Sequence, residues 1–234
     1  RSCAMAFNRL ADHPYDARNP RTAGRALPQG LVGRAAVWGF TLAAAALFVG
    51  AAAMLNRLAF LLSPVALAVI LGYSFTKRVT ALSHFVLGLA LAMAPVGAWI
   101  AVRGDLHPFP LVVGLGVLLW TAGFDIIYAC QDEAFDRREG LHSIPARLGT
   151  ARALRLSAGL HALSALAFLA LAPIGGLGAW YLAGWTAIAA LLVYQHLLVR
   201  PDDLGRVNQA FFHVNALVSG ILMAAGLIDL FSRR

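Results

Sequence analysis

Seven long apolar segments dominate this chain of 234 residues and restrict the folds that it can adopt. Each approaches the ~20 residues that an α-helix needs to cross the hydrocarbon of a bilayer. Hydrophobic residues make up 60% of the chain and charged residues 13%, a mixture too apolar for a soluble domain of this size. The pattern predicts an all-α, polytopic transmembrane helical bundle that forms a single domain over residues 1–234, with seven full spans near 31–55, 58–75, 80–102, 110–131, 151–173, 178–199 and 207–230.

The first thirty residues differ from the rest. Residues 1–13 read as the end of one more membrane helix, and residues 17–30 form a polar loop with three arginines, two prolines and two glycines. Arg1 begins the chain inside an apolar-leaning run. We therefore expect the chain to be an N-terminally shortened piece of a longer protein.

The net charge of +8 reflects an uneven distribution of Lys and Arg between the two ends of the predicted bundle. Fourteen of these residues fall on the side that carries loop 17–30, and four fall on the other side. Basic residues of membrane proteins gather in cytoplasmic loops, so the side with fourteen should face the cytoplasm. We expect a multi-pass protein of a bacterial inner membrane, with the lipid bilayer as a partner. The positive charge is explained by this topology, so we do not expect the protein to bind nucleic acid.

Three polar side chains recur every four residues near the start of the chain: Asn8, Asp12 and Asp16. This spacing is about 1.1 helical turns, so the three share one face of a helix. Carboxylates at a membrane edge are costly and indicate function. Pro14 disfavours helix at the residue before it, so we expect Asp16 to lie in a kinked last turn or in the loop.

A second acidic cluster, Asp125, Asp132 and Asp136, lies far downstream at the same predicted side of the membrane. Offsets of seven and eleven residues return to within about 20° on a continuous helix, so these carboxylates should also share a face. Seven of the eleven acidic residues lie in the ranges 8–16 and 125–139, which contain the two clusters. We expect them to meet in one site.

Oxygen ligands of this kind suit Mg²⁺, which proteins usually hold with a few carboxylates and substrate phosphates. The expected metal ligands are Asn8, Asp12, Asp16, Asp132 and Asp136. Arginines and a lysine on the same side would bind a diphosphate. The expected diphosphate-binding residues are Arg1, Arg21, Arg25, Lys77 and Arg78. A diphosphate whose other end belongs in a membrane fits a polyprenyl diphosphate.

These motifs resemble those of the UbiA superfamily of intramembrane aromatic prenyltransferases. Its members carry N-x-x-x-D-x-x-x-D on helix 2 and D-x-x-x-D on helix 6, which match Asn8/Asp12/Asp16 and Asp132/Asp136 here. The stretches 19–28 and 140–145 are similar to runs of its quinone-biosynthesis branch. The resemblance covers essentially the whole chain. It implies a nine-helix fold, of which this chain would lack helix 1 and the start of helix 2.

The resemblance also implies an activity. Polyprenyl diphosphate would ionise with Mg²⁺ as cofactor, and an aromatic acid would attack the carbocation. We expect 4-hydroxybenzoate as the acceptor, in ubiquinone or menaquinone biosynthesis, with 1,4-dihydroxy-6-naphthoate of the alternative menaquinone pathway as the second candidate. The implied catalytic residues are Asp12, Asp16, Asp125, Asp132 and Asp136, and the implied substrate-binding residues are Asn8, Tyr128 and Ser143.

Two other functions are weaker interpretations. A CDP-alcohol phosphotransferase needs its acidic residues in one continuous run, and here more than a hundred residues separate the two clusters. A lipid transporter without enzymatic activity would give flux without a covalent product.

Four histidines lack the spacing of metal ligands, so we expect them to form hydrogen bonds between helices: His84, His161, His196 and His213.

Overall fold

The computed structural model describes residues 2–232, and most of them are helical. Seven helical segments are long and apolar enough to cross a membrane, as the hydropathy predicted, and their ends agree closely with the predicted spans. A shorter helix precedes them. In chain order the helices are α1 Ser2–Asp16, α2 Arg34–Leu55, α3 Arg57–Thr76, α4 Ser83–Arg103, α5 Pro108–Ala129, α6 Glu133–Arg138, α7 Ile144–Leu148, α8 Thr150–Gly175, α9 Ala179–Leu198 and α10 Asn215–Phe231.

Helix α1 includes all three polar residues of the first motif. Pro14 lies inside the helix, and Asp16 is its last residue. The Ala17 amide still donates to the His13 carbonyl at 3.1 Å, so the loss of one backbone donor at Pro14 does not unwind the turn. Of the two placements expected for Asp16, the structure shows the last helical turn. Asn8, Asp12 and Asp16 therefore belong to one helix.

Helix α5 is the centre of the bundle and packs against α4 and α8. The fully buried side chains of Ile126 and Ile127 belong to the same main core as Phe168 of α8. Hydroxyls of α8 also reach the α5 backbone: Ser157 donates to the Gly123 carbonyl at 2.7 Å. Glycine and serine let the two helix backbones approach closely, which is how membrane helices gain packing energy.

The helical path from α5 continues to Arg138, so Asp125, Asp132 and Asp136 lie along one helical segment, but its geometry changes after Ala129, where α5 ends. A 3₁₀ turn, Cys130–Asp132, connects it to the short helix α6. Glu133, the first residue of α6, accepts hydrogen bonds from both the amide and the hydroxyl of Thr150. This contact ties the start of α6 to the start of α8.

A π-helical segment, Gln209–Val214, leads into α10. Buried Gln195 of α9 donates to the Ala210 carbonyl at 2.8 Å, and the Trp120 indole donates to Asn215 at 3.0 Å. Such segments often lie at functional sites. Here the segment carries Phe211 against the Tyr128 ring, with the two ring centroids 4.3 Å apart.

Candidate active site

One cavity of about 180 Å³ opens at the end of the bundle where α1 and α5 finish. The end of α3 and the loop after α1 complete its wall. The cavity brings together every predicted site residue except Arg1 and Ser143: Asn8, Asp12, Asp16, Arg21, Arg25, Lys77, Arg78, Asp125, Tyr128, Asp132 and Asp136. The two acidic clusters, separated by over a hundred residues in sequence, thus meet as expected.

Arg21 donates two hydrogen bonds to the carboxylate of Asp132. Its Nη2 lies 2.6 Å from Oδ2 and its Nε lies 3.1 Å from Oδ1. A third donor, Nη1, reaches the Tyr128 hydroxyl at 3.0 Å. Burial lowers the pKa of Arg21, but the hydrogen bonds and charge of Asp132 outweigh burial, and the net pKa is raised above its ordinary value. The guanidinium therefore stays charged in this cavity.

Arg25 makes the matching contact with the first motif. Its Nη1 lies 2.7 Å from each carboxylate oxygen of Asp16, which is buried. The Arg9 guanidinium lies 3.8 Å from the same carboxylate. The Thr22 hydroxyl donates to the Asp16 carbonyl at 3.0 Å, which holds the loop against the end of α1. The loop thus places Arg25 beside the first acidic motif and Arg21 beside the second.

Two basic residues that directly follow α3 pair with the two remaining motif aspartates. The Lys77 ammonium lies 3.4 Å from buried Asp136. Arg78 lies 3.7 Å from Asp12, which also accepts a hydrogen bond of 2.8 Å from the Asn8 amide. Each of the four motif aspartates therefore has a basic partner that was predicted to bind diphosphate.

The predicted metal ligands are not gathered in a single cluster. Within residues 2–232 no group of three or more His, Cys, Asp or Glu side chains lies close enough together to hold a metal ion. The donors nonetheless suit Mg²⁺, because they are carboxylate and amide oxygens that face one cavity. To bind the metal ion, the carboxylates would have to separate from their arginine and lysine partners.

Asp125 differs from the other carboxylates of the cavity. Its Oδ2 lies 2.6 Å from Nδ1 of His84, which is fully buried on α4. His84 therefore joins two helices, as expected for the histidines, and His161 and His196 do the same with their nitrogens 2.9 Å apart. The motif spacing could not identify His84 as the partner of a site residue, since no pattern links it to Asp125.

Ser143 lies apart from this cavity. It is buried and caps the short helix α7, where its hydroxyl accepts a hydrogen bond from the Ala146 amide at 3.3 Å. The structure thus does not bring Ser143 together with the other predicted site residues. Arg1 lies outside the described residues.

Asn19 is a cavity residue that the sequence reasoning did not select. Its side-chain oxygen accepts a hydrogen bond of 2.9 Å from the Arg21 amide, and its Nδ2 lies 3.4 Å from Asp132. The pattern Asn-Pro-Arg could have indicated this role, because an asparagine side chain commonly bonds the backbone two residues later. Asn19 orients the loop so that Arg21 reaches Asp132.

Comparisons with known proteins agree with this geometry. The model of the UbiA prenyltransferase family matches residues 1–217. Two similar curated proteins are named 4-hydroxybenzoate octaprenyltransferase. The protein of Aeromonas salmonicida is 34% identical, covering 97% of this chain and 78% of that protein. That of Idiomarina loihiensis is 34% identical, covering 97% and 79%.

Solved structures show the same fold. A UbiA homologue from Aeropyrum pernix superposes with a TM-score of 0.90 at 36% identity, covering 98% of this chain and 85% of that one. A UbiA homologue from Archaeoglobus fulgidus, bound to DMAPP and Mg²⁺, has a TM-score of 0.65 at 20% identity, covering 94% and 83%, and supports the fold alone. From the family model, its curated relatives and these shared helices, we conclude that the chain belongs to the UbiA prenyltransferase family and is a multi-pass membrane prenyltransferase.

Proposed function

We propose that this enzyme transfers a polyprenyl group from polyprenyl diphosphate to 4-hydroxybenzoate, with Mg²⁺ as cofactor. One observation carries the proposal: both acidic motifs and four basic side chains line a single cavity at one end of the bundle. That combination suits a diphosphate held together with metal ions. The names of the Aeromonas and Idiomarina relatives favour 4-hydroxybenzoate over a dihydroxynaphthoate as the acceptor.

The basic side chains would bind and stabilise the leaving diphosphate. Arg21 and Arg25 come from the loop, and Lys77 and Arg78 follow α3, so the four approach the cavity from two directions. Their hydrogen bonds strengthen as charge develops on the departing oxygens, which lowers the barrier to ionisation. Mg²⁺, held by Asn8, Asp12, Asp16, Asp132 and Asp136, would supply further charge neutralisation there when bound.

The side chains beside the diphosphate would handle the acceptor ring. Asp125 lines the cavity, and its contact in the structure is the imidazole of His84 instead of an arginine or lysine. We assign it as the base that accepts the ring proton after attack. The Tyr128 ring lies under the Arg21 guanidinium and packs on Phe211. This aromatic pair would limit the access of water to the reacting carbon.

Product analysis tests the activity. The natural full-length protein in membranes would receive geranyl diphosphate, Mg²⁺ and a panel of phenolic acids, and the products would be identified by mass spectrometry. We expect prenylated 4-hydroxybenzoate. Product formed only from 1,4-dihydroxy-6-naphthoate would favour the alternative acceptor, and lipid flux without any covalent product would indicate a transporter.

A double variant, Asp12→Ala with Asp132→Ala, tests the assignment of the motifs. It should abolish product formation because it removes a carboxylate from each motif. Asp202→Ala serves as the control, because Asp202 is exposed and lies outside the cavity. Activity in the double variant equal to that of the control would overturn the assignment of the carboxylates to metal binding.

We also propose that the end of the bundle with the cavity faces the cytoplasm of a bacterial inner membrane, and that residues 1–234 act as one domain. The excess of Lys and Arg at that end supports this orientation. The native Cys3 and Cys130 are buried, so introduced cysteines can report topology. A membrane-impermeant maleimide should label Leu106→Cys in intact cells and label Gln29→Cys only after lysis. The reverse pattern would refute the orientation.

A further inference from the structure

His84 forms a hydrogen-bonded link between the cavity carboxylate Asp125 and the backbone of α7. Its Nε2 lies 3.3 Å from the Ile144 amide nitrogen, and its Nδ1 lies 2.6 Å from Asp125. A backbone N–H can only donate, so Nε2 must be the acceptor. The proton of a neutral ring is then on Nδ1 and is donated to Asp125. The Ile144 amide thus sets the tautomer that Asp125 requires.

The partner of Asp125 separates it chemically from the other acidic residues of the cavity. Asp12, Asp16, Asp132 and Asp136 each form an ion pair with an arginine or lysine in the described part of the chain. Asp125 instead accepts a hydrogen bond from the neutral imidazole of His84. A neutral N–H donor orients a carboxylate without cancelling its charge.

We propose that His84 is a positioning residue for the transfer reaction and acts through Asp125. This inference rests on the proposed function. The side chain of His84 is fully buried, and it does not line the cavity itself. Its donated hydrogen bond uses Oδ2 of Asp125 and leaves Oδ1 available to the acceptor ring.

The step that His84 supports is the loss of the ring proton. A carbon of the acceptor ring forms a bond to the allylic carbon, while the electron pair of the allylic C–O bond leaves on the diphosphate. The ring C–H bond then breaks, its electron pair restores aromaticity, and its proton passes to Oδ1 of Asp125. If Asp125 turned away from the ring, only the transfer of the ring proton would slow. The loss of His84 should therefore affect turnover more than binding of the prenyl diphosphate.

Three substitutions separate this role from simple packing. His84→Leu removes both hydrogen bonds. His84→Asn places an amide N–H near the position of Nδ1 and can still donate to Asp125, whereas His84→Gln reaches the position of Nε2, next to Ile144. If His84 serves Asp125, asparagine should restore turnover. If it only supports the α7 backbone, glutamine should restore turnover instead.

We expect His84→Leu to lower kcat about 10- to 100-fold, by analogy with the loss of residues that orient reactive ligands, with an unchanged KM for geranyl diphosphate. An acceptor deuterated at the attacked carbon should then show a larger kinetic isotope effect than in the wild type. Asp125→Asn combined with His84→Leu should be no slower than Asp125→Asn alone, because both changes disable the same group.

Different results would overturn different parts of this proposal. Unchanged kcat in His84→Leu, or better rescue by glutamine than by asparagine, would refute the positioning role while leaving prenyl transfer intact. Absence of any prenylated product from the wild type would overturn the proposed function and this inference with it. If His84→Leu fails to fold in a thermal unfolding assay, the comparison of asparagine with glutamine still decides the question.

Discussion

Arg21 and Asp132 lie 111 residues apart in sequence and form a two-point contact, with Nη2 2.6 Å from Oδ2 and Nε 3.1 Å from Oδ1. The pair joins the loop after α1 to the turn after α5, so it links the two acidic motifs. The proposed reaction needs the same guanidinium for the diphosphate and the same carboxylate for Mg²⁺. Substrate binding must therefore exchange this contact for others.

Replacing Arg21 with lysine should weaken diphosphate binding. An ammonium lacks the planar fork of donors with which a guanidinium binds two phosphate oxygens at once. A hydrogen bond to a charged group contributes about 1.5–3 kcal/mol, so KM for geranyl diphosphate should rise about tenfold or more in steady-state assays. Arg152→Lys is the matched control, because Arg152 is exposed and outside the cavity. Equal KM values in the two variants would contradict the assignment of Arg21.

Mg²⁺ and diphosphate should bind with positive coupling. The motif carboxylates and the basic side chains neutralise one another, so either ligand alone must break ion pairs and leave their partners exposed in the cavity. When both ligands bind, Mg²⁺ pairs with the freed carboxylates and the diphosphate pairs with the freed basic side chains. Calorimetry should show pyrophosphate binding about tenfold or more tighter with Mg²⁺ present, and Mg²⁺ binding tighter by the same factor with pyrophosphate.

The control replaces pyrophosphate with sulfate at the same ionic strength, because sulfate tests whether screening of charges by salt alone explains the coupling. Affinity for Mg²⁺ that is equal with and without pyrophosphate would show that the carboxylates bind metal independently of the basic residues.

Tyr128 should contribute mainly through its ring. The hydroxyl accepts one hydrogen bond from Arg21, whereas the ring packs on Phe211 and lies under the Arg21 guanidinium at 5.3 Å. Tyr128→Phe removes one hydrogen bond, worth about 0.5–1.5 kcal/mol, and should lower kcat/KM less than about tenfold. Tyr128→Ala removes the ring contacts as well and should lower kcat/KM further than Tyr128→Phe does. Equal losses in both variants would assign the whole effect to the hydroxyl.

Gly116 should be required for the packing of α5 on α8. A methyl group added there would overlap the Phe168 ring, which is fully buried, whereas one added at Gly159 of α8 meets nothing within 4 Å. Gly116→Ala should therefore destabilise the protein by about 1–3 kcal/mol, as overpacking does. Thermal unfolding in detergent should show a lower Tm for Gly116→Ala and little change for Gly159→Ala. Equal Tm values would argue against the close packing.

The spans and the motifs were accessible from the sequence because they depend on local patterns. Hydropathy over about 20 residues identifies each membrane helix without knowledge of its neighbours. The four-residue spacing of Asn8, Asp12 and Asp16 places them on one helical face, and the structure keeps them on one helix despite Pro14. The excess of Lys and Arg on one side placed both clusters at the same end of the bundle, where they meet.

Spacing failed where packing overrides helical periodicity. A 3₁₀ turn at Cys130–Asp132 changes the helix geometry before Asp136, and the contact of Glu133 with Thr150 depends on α8 lying alongside. Ser143 lies outside the cavity and caps α7 instead. Neither event has a signal within a short window of sequence, because each requires a partner from another part of the chain.

The sequence by itself determined that this protein is a bundle of membrane helices with two acidic motifs and a set of basic residues at one end, since hydropathy, spacing and charge are properties of neighbouring residues. Only the tertiary structure decided which side chains meet: Arg21 with Asp132, Arg25 with Asp16, and His84 with Asp125. Two of these pairs join groups more than forty residues apart. Their contacts exist because helix packing brings the groups within hydrogen-bonding distance.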